Sequence, residues 1–107
     1  MPMSENALGT FLRDHRAKLD AAALGFSSRY RMTTGLRREE VAESAGLSVN
    51  WYTSLEQGRT RVRSADVLDR IARALMLTEV ERKHLFLLAL GRTPSEVRGV
   101  ASRSSRP

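Results

Sequence analysis

Hydrophobic residues recur along this chain at intervals of three and four positions, the spacing that places side chains on one face of an α-helix. Leu8, Phe11, Leu12 and Leu19 form such a series near the N-terminus. The predicted helices cover residues 6–19, 36–45 and 49–57, a segment after Ser64, and residues 79–90. No segment has strand periodicity and no internal repeat is present. The pattern therefore predicts an all-α fold in which five short helices surround one core.

Two segments fall outside this helical pattern. Residues 20–35 have no clean period, and they predict a connector that is long for so small a domain. Residues 91–107 predict a basic, flexible tail, in which Pro94 suits the first position of one short helical turn. The folded domain is therefore expected to span residues 1–90.

Polar residues and glycines mark the predicted helix ends. Ser64 is placed to cap the fourth helix, and Thr78 with Glu81 forms a capping box at the start of the fifth. Gly58 and Gly91 follow the third and fifth helices, where a glycine commonly ends a helix.

Residues 36–57 have the pattern of a helix-turn-helix. Ala42 is small enough for two helices to cross closely, and Gly46 suits the positive-φ residue that ends the first of them. Ser48 can cap the second helix by accepting a backbone N–H. The positions predicted to pack inward are Leu47, Tyr52 and Leu55. The positions predicted to face outward, on the surface that enters the major groove of DNA in such motifs, are Val49, Asn50, Thr53 and Ser54.

The distribution of charge strengthens this interpretation. The 107 residues carry a formal net charge of +6. The excess lies in residues 29–63, with seven arginines against four glutamates, and in residues 91–107, with four arginines against one glutamate. Arginine makes planar contacts to phosphate and guanine. Positive charge beside the predicted motif therefore favours a nucleic-acid partner.

Composition also excludes several kinds of protein. The chain has no cysteine, which rules out a disulfide framework, a thiolate zinc site and a thiol nucleophile. No apolar run approaches the ~20 residues of a membrane span, and no secretory signal pattern is visible. His15 and His84 lack partners at metal-ligand spacing, and the neighbours Glu39 and Glu40 are poorly placed to act as a catalytic pair. We expect a cytoplasmic, non-enzymatic protein without a metal or cofactor.

Longer motifs resemble a known family. The string SxxWYxxLEQGR at residues 48–59, followed by Ser64 and VLxxIARAL, resembles the XRE family of lambda-repressor-like regulators. The strings LGxFLRxxR, GLRREEVAxxAG and ERxHLFxLA resemble a narrower bacterial group that carries an MmyB-like C-terminal ligand-binding domain. The resemblance covers residues 8–90 and implies a five-helix lambda-repressor-like domain. The ligand domain does not follow here, so we expect either part of a longer regulator or a minimal one, with any small-molecule effector acting through that domain.

The resemblance and the residue chemistry together indicate a reading surface. Asn50 is the best candidate, because its amide can pair with N6 and N7 of adenine in a contact worth ~1–3 kcal/mol of discrimination. Thr53 and Ser54 suit bases or thymine methyls, and Val49 suits a thymine methyl, but each is also an ordinary helix-surface residue. Arg38 matches a base-facing position of the family; the alternative is a solvated side chain paired with a nearby glutamate.

A second set of residues is expected at the DNA backbone. Arg59, Arg61 and Arg63 alternate along one loop, which predicts phosphate binding, although such a run is often only a solvated surface. For Trp51, packing beneath the 20–35 connector is favoured over an indole contact to phosphate. The predicted backbone set is Arg37, Ser48, Trp51, Gln57, Arg59, Arg61 and Arg63.

One pair is predicted to be structural. The resemblance implies a salt bridge between Arg16 and Glu56 that ties the first helix to the recognition helix. An acidic side chain in the mostly apolar setting of Glu56 requires such a partner.

The sequence as a whole predicts a sequence-specific DNA-binding transcriptional regulator, a repressor more often than an activator in such families. A homodimer would bind a pseudo-palindromic operator whose half-sites lie ~34 Å apart. The alternative is a protein-interaction module of the same fold, such as an antitoxin or adaptor, without direct base readout. The local positive charge favours the first interpretation.

Overall fold

A computed structural model describes residues 6–26 and 35–97. Its helices are α1 (Ala7–Ala17), α2 (Arg38–Ala45), α3 (Val49–Glu56), α4 (Ala65–Ala74) and α5 (Glu79–Leu90). Residues 94–97 add one helical turn, and the described segments contain no strand. The prediction of an all-α, five-helix fold is confirmed. The predictions for the middle of the connector, 27–34, and for the end of the tail, 98–107, lie outside the described residues.

Side-chain caps set the helix starts. Ser48 Oγ accepts the backbone N–H of Trp51 at 3.0 Å, and Ser64 Oγ accepts that of Val67 at 3.3 Å. Thr78 and Glu81 form the expected reciprocal capping box, with bonds of 3.2 and 2.9 Å. The first helix ends two residues earlier than predicted, because the backbone tightens after Ala17: the N–H of Leu19 bonds to the carbonyl of Arg16.

The turn between α2 and α3 has the expected geometry. Gly46 adopts a left-handed conformation, with φ of 69°, which a residue without a Cβ reaches at little cost. The N–H of Leu47 then bonds to the carbonyl of Ala42 at 2.8 Å, and Ser48 opens α3. Residues 46–48 therefore reverse the chain with the backbone groups at the end of α2 satisfied.

The core lies between the helix-turn-helix and the other three helices. Helix α1 packs on α3 and α5, while α2 packs on α3 and α4. Gly9 lets α1 approach α3 closely, because a Cβ at this position would meet the carbonyl oxygen of Glu56. The largest fully buried apolar side chains are Tyr52, Phe86, Leu12, Leu55, Leu68, Ile71, Leu75 and Leu85. This packing fixes α3 on both flanks and leaves one face of it outside the core.

Candidate nucleic-acid interface

The outer face of α3 is the first component of the candidate site. Tyr52 and Leu55 are fully buried and anchor the helix. On the remaining surface Val49 is 41% exposed, and Asn50 is exposed beside it. Thr53 and Ser54, one turn further along, are half-buried. The four residues of α3 predicted to read bases therefore lie on one side of the helix, within its first six residues, and the capping residue Ser48 is exposed just before them.

An arginine-rich loop follows α3 and forms the second component. Gln57 is exposed at the end of α3, and Val62 is buried in the core. Side chains in this extended loop alternate between the core and the solvent. Val62 points into the core, and Arg61 and Arg63 on either side of it are exposed, as is Arg59. Within the described ranges none of these arginines has an ion-pair partner. Three cationic side chains thus project from a loop whose backbone is held by one apolar anchor.

A buried carboxylate joins three helices beneath this surface. Glu56 is 0% exposed, and its two oxygens contact Arg16 Nε at 2.8 Å and Arg16 Nη2 at 2.9 Å. The expected ion pair between α1 and α3 is therefore present. Arg16 also donates from Nη1 to the carbonyl of Leu36 at 3.0 Å, which ties the entry to α2 into the same cluster.

Arg38 belongs to this cluster as well. Its Nε donates to Glu56 Oε1 at 3.0 Å, so the first residue of α2 meets the last residue of α3. A nearby glutamate was the alternative partner expected for Arg38 from the sequence, and the structure identifies it as Glu56. The adjacent Arg37 is half-buried, and its backbone N–H donates to Glu40 Oε1 at 2.7 Å.

The cluster shifts the ionisation of its members. Burial by itself would raise the pKa of Glu56, but the hydrogen bond from Arg16, the polar hydroxyl of the nearby Tyr52 and the hydrogen bond from Arg38 together outweigh it and hold that pKa below its usual range. Burial, followed by the charge of Glu56, raises the pKa of Tyr52 far above that of a free phenol. The Tyr52 hydroxyl has no hydrogen bond of good geometry, although it lies close to the carboxylate. Glu56 is therefore ionised and Tyr52 neutral at neutral pH.

Trp51 lies between the two roles considered for it. Its side chain is half-buried and packs against the core cluster, in keeping with the favoured interpretation. The part of the connector that was expected above it, 27–34, lies outside the described residues. Its contact to phosphate remains a prediction.

Three residues support the motif without having been identified from the sequence. Asn6 Nδ2 and Arg13 Nη1 donate to the carbonyl of Glu56 at 3.0 and 3.4 Å, and so satisfy the C-terminal end of α3. Arg70 Nη1 donates to the carbonyl of Ala45 at 3.3 Å, at the turn between α2 and α3. These donors lie 25 to 50 positions from their acceptors, and no local pattern reveals such pairs.

The histidines lie away from this surface. His15 and His84 flank Phe11, with ring centroids 4.3 and 5.1 Å from it. Among the described residues no group of three or more His, Asp or Glu side chains is arranged to hold a metal ion.

Comparison with known families agrees with the geometry. The chain belongs to a family described as a helix-turn-helix domain, whose match covers residues 7–85. Domains of this kind bind DNA by placing the second helix of the motif in the major groove. A search of the curated proteins and of the solved structures found no match. In the described part of the chain no helix has the length and apolar character needed to cross a membrane.

Proposed function

We propose that this helix-turn-helix protein is a sequence-specific transcriptional regulator of the XRE type, acting as a repressor. The observation that carries the proposal is the outward face of α3, which is followed by a loop of three exposed arginines, Arg59, Arg61 and Arg63, that have no ion-pair partner in the described parts of the chain. Val49, which is 41% exposed between polar neighbours, lies on this face of α3. A thymine methyl group in the major groove is a fitting contact for that valine.

Within this proposal the residues divide into two sets by chemistry. Base edges are read by the outward residues of α3 together with Arg38, with Asn50 on adenine. Phosphates are bound by the charged, polar and N–H groups of the residues that surround this base-reading set. The base-reading set is Arg38, Val49, Asn50, Thr53 and Ser54, and the backbone set is Arg37, Ser48, Trp51, Gln57, Arg59, Arg61 and Arg63.

The proposal extends to the assembly on DNA. A homodimer on a pseudo-palindromic operator would place two copies of α3 in successive major grooves, ~34 Å apart. No catalytic step is required for such a regulator, and a small-molecule effector would act through a C-terminal ligand domain of the MmyB-like kind.

Selection of bound duplexes from a random pool tests the proposal most directly. Enrichment of one motif with two inverted half-sites is the expected result. Recovery of unenriched sequences would contradict sequence-specific recognition, and enrichment of a single half-site would contradict the dimer.

Two variants separate base readout from backbone binding. Asn50→Ala is expected to relax preference at one or two base pairs, because it removes a bidentate amide contact worth ~1–3 kcal/mol of discrimination. Arg61→Ala is expected to weaken binding to all duplexes about equally, because phosphates carry no sequence information. Affinities for the selected duplex and its single-base variants distinguish the two. An unchanged preference in Asn50→Ala would show that the readout surface is wrongly assigned.

The competing function is a protein-interaction module. It is favoured by two exposed apolar residues on α5, Val80 at 75% and Leu87 at 46% exposure. Retention on heparin and on non-specific duplex at low and high salt discriminates the two functions. A DNA-binding protein is retained at low salt and released at high salt. Failure to bind at any salt concentration would favour the interaction module.

A further inference from the structure

Two guanidinium groups contact the single buried carboxylate of Glu56, so the positive charge around it exceeds its own negative charge. Arg16 contacts both of its oxygens and alone balances its charge. Arg38 adds a second guanidinium, with its Nε 3.0 Å from Oε1. The three side chains together therefore carry a net charge of +1. A purely structural ion pair does not require the second arginine, whereas a site for an anionic or acceptor-rich partner benefits from it.

The geometry of Arg38 leaves one edge of its guanidinium available. Its Nε is occupied by Glu56, and its two Nη groups have no hydrogen-bond partner among residues 6–26 and 35–97. The side chain is 35% exposed, although the carboxylate that it contacts is fully buried. The two Nη groups form a planar fork of donors that matches a pair of acceptor atoms. On duplex DNA such a pair is offered by O6 and N7 of guanine and by two oxygens of a phosphate.

We propose that Glu56 is a positioning residue for DNA binding, which holds the Arg38 guanidinium so that its two Nη groups bind a pair of acceptor atoms on the duplex. The inference rests on the proposed function and extends it by assigning a DNA-directed role to a residue that touches no DNA. Arg16 keeps the carboxylate ionised and fixed, and Arg38 makes the contact. The loop arginines differ, because nothing in the described chain fixes their guanidinium groups before binding.

Arg38→Ala and Arg38→Lys, measured by fluorescence anisotropy on a duplex selected by the wild-type protein, test this arrangement. Removal of a bidentate contact predicts weakening by about 5- to 150-fold in Arg38→Ala. Lysine keeps the charge but lacks the planar fork and the Nε that Glu56 holds. The weakening of DNA binding in Arg38→Lys is therefore expected to be at least half of that in Arg38→Ala on a logarithmic scale. The matched control is Arg73→Lys, at an exposed arginine of α4 that belongs to neither proposed set of DNA-contacting residues, and it is expected to stay within about twofold of wild type.

The two sources of acceptor atoms give different patterns. If Arg38 binds guanine, the weakening in its variants is confined to duplexes with a G·C pair at one position, and the salt slope is unchanged. If it binds phosphate, all duplexes weaken alike and the slope of log affinity against log salt falls by about 1. Either pattern supports the inference.

Glu56→Gln tests the positioning role in a double-mutant cycle with Arg38→Ala. If Glu56 acts through Arg38, Glu56→Gln weakens DNA binding when Arg38 is present and has little effect in the Arg38→Ala background. Equal weakening in both backgrounds would mean a merely structural role and would overturn the inference. If Glu56→Gln does not fold, the two Arg38 variants provide the test. DNA binding within about twofold of wild type for both Arg38→Ala and Arg38→Lys would also overturn the inference.

Failure of the proposed function is distinguishable from failure of this inference. Wild-type protein that binds no duplex at low salt would contradict DNA binding altogether, and with it the role of Arg38. Wild-type protein that binds the selected duplex, while the Arg38 variants bind it equally well, would leave the regulator intact and remove only the positioning role.

Discussion

At the scale of the residue, the buried carboxylate of Glu56 connects three helices of this domain. A carboxylate removed from water costs several kcal/mol unless charged partners and hydrogen bonds replace its hydration. Glu56 receives guanidinium groups from α1 and α2, and its backbone carbonyl receives Asn6 and Arg13. One residue at the end of α3 therefore fixes the recognition helix to two neighbours.

The ionisation of Glu56 makes stability depend on pH. Its pKa is lower in the folded than in the unfolded protein, so its stabilisation is complete above the ordinary glutamate pKa of about 4.3 and is lost as the pH falls through the folded-state pKa. Glu56→Gln is expected to cost about 3–5 kcal/mol at pH 7, because it leaves Arg16 without its charged partner. The difference from wild type should narrow towards pH 3.

Denaturant unfolding at pH 7, 5, 4 and 3 measures this difference. The control is Glu43→Gln, which removes an exposed carboxylate from α2 and is expected to change the free energy of unfolding by less than about 0.5 kcal/mol. A Glu56→Gln difference that stays constant from pH 7 to pH 3 would argue against an ionised, paired carboxylate.

At the scale of the element, the close approach of α1 to α3 determines how the motif is supported. Glycine within a helix is normally less stable than alanine by about 0.5–1 kcal/mol. Gly9 is retained inside α1 at a point where a Cβ would meet the backbone oxygen of Glu56. Backbone atoms cannot rotate away as a side chain can, so this contact outweighs helix propensity.

Gly9→Ala is therefore expected to reverse the usual effect of this substitution and to destabilise the protein by about 1–3 kcal/mol, the cost of overpacking. Thr10→Ala, at the next and exposed position of α1, is the matched control and is expected to be neutral or slightly stabilising. Thermal unfolding of both variants compares them. A Gly9→Ala variant more stable than wild type would show that α1 and α3 separate easily.

At the scale of the whole molecule, positive charge is concentrated where the outer face of α3 meets its flanks. The loop arginines and Arg38 lie at the borders of the reading patch rather than within it, and the patch on α3 itself contains no charged residue. Such a division suits a regulator, because phosphates supply affinity and bases supply specificity. The long-range attraction between these arginines and the DNA phosphates should then fall steeply with ionic strength.

The salt dependence of binding tests this distribution. Replacing Arg59, Arg61 and Arg63 together with glutamine is expected to lower the slope of log affinity against log salt by about 0.9 for each phosphate that an arginine no longer neutralises. The control replaces three other exposed cations, Arg73, Lys83 and Arg92, and removes the same net charge. Equal slopes for the two triple variants would mean that net charge, and not its position beside α3, drives binding.

Local signals account for what could be predicted of the fold. The caps at Ser48, Ser64 and Thr78 and the turn at Gly46 each depend on a few neighbouring residues, and the structure contains all of them. The outward positions of α3 followed from helical periodicity in the same way. Their contacts with DNA remain predictions.

The helices, the turn of the motif and the arginines beside it could be predicted from the sequence, because propensity, capping and periodicity act over a few residues. Two contacts could not be predicted in this way: Arg38 shares the Glu56 carboxylate, 18 positions away, and Asn6 reaches the end of α3, 50 positions away. Contacts at that separation depend on how the helices pack, and packing depends on the shapes of all the buried side chains together. The sequence shows Arg38 as one of several arginines expected to face DNA. Among those arginines, within the described residues, Arg38 alone contacts Glu56, and this contact follows from the packing of α2 against α3.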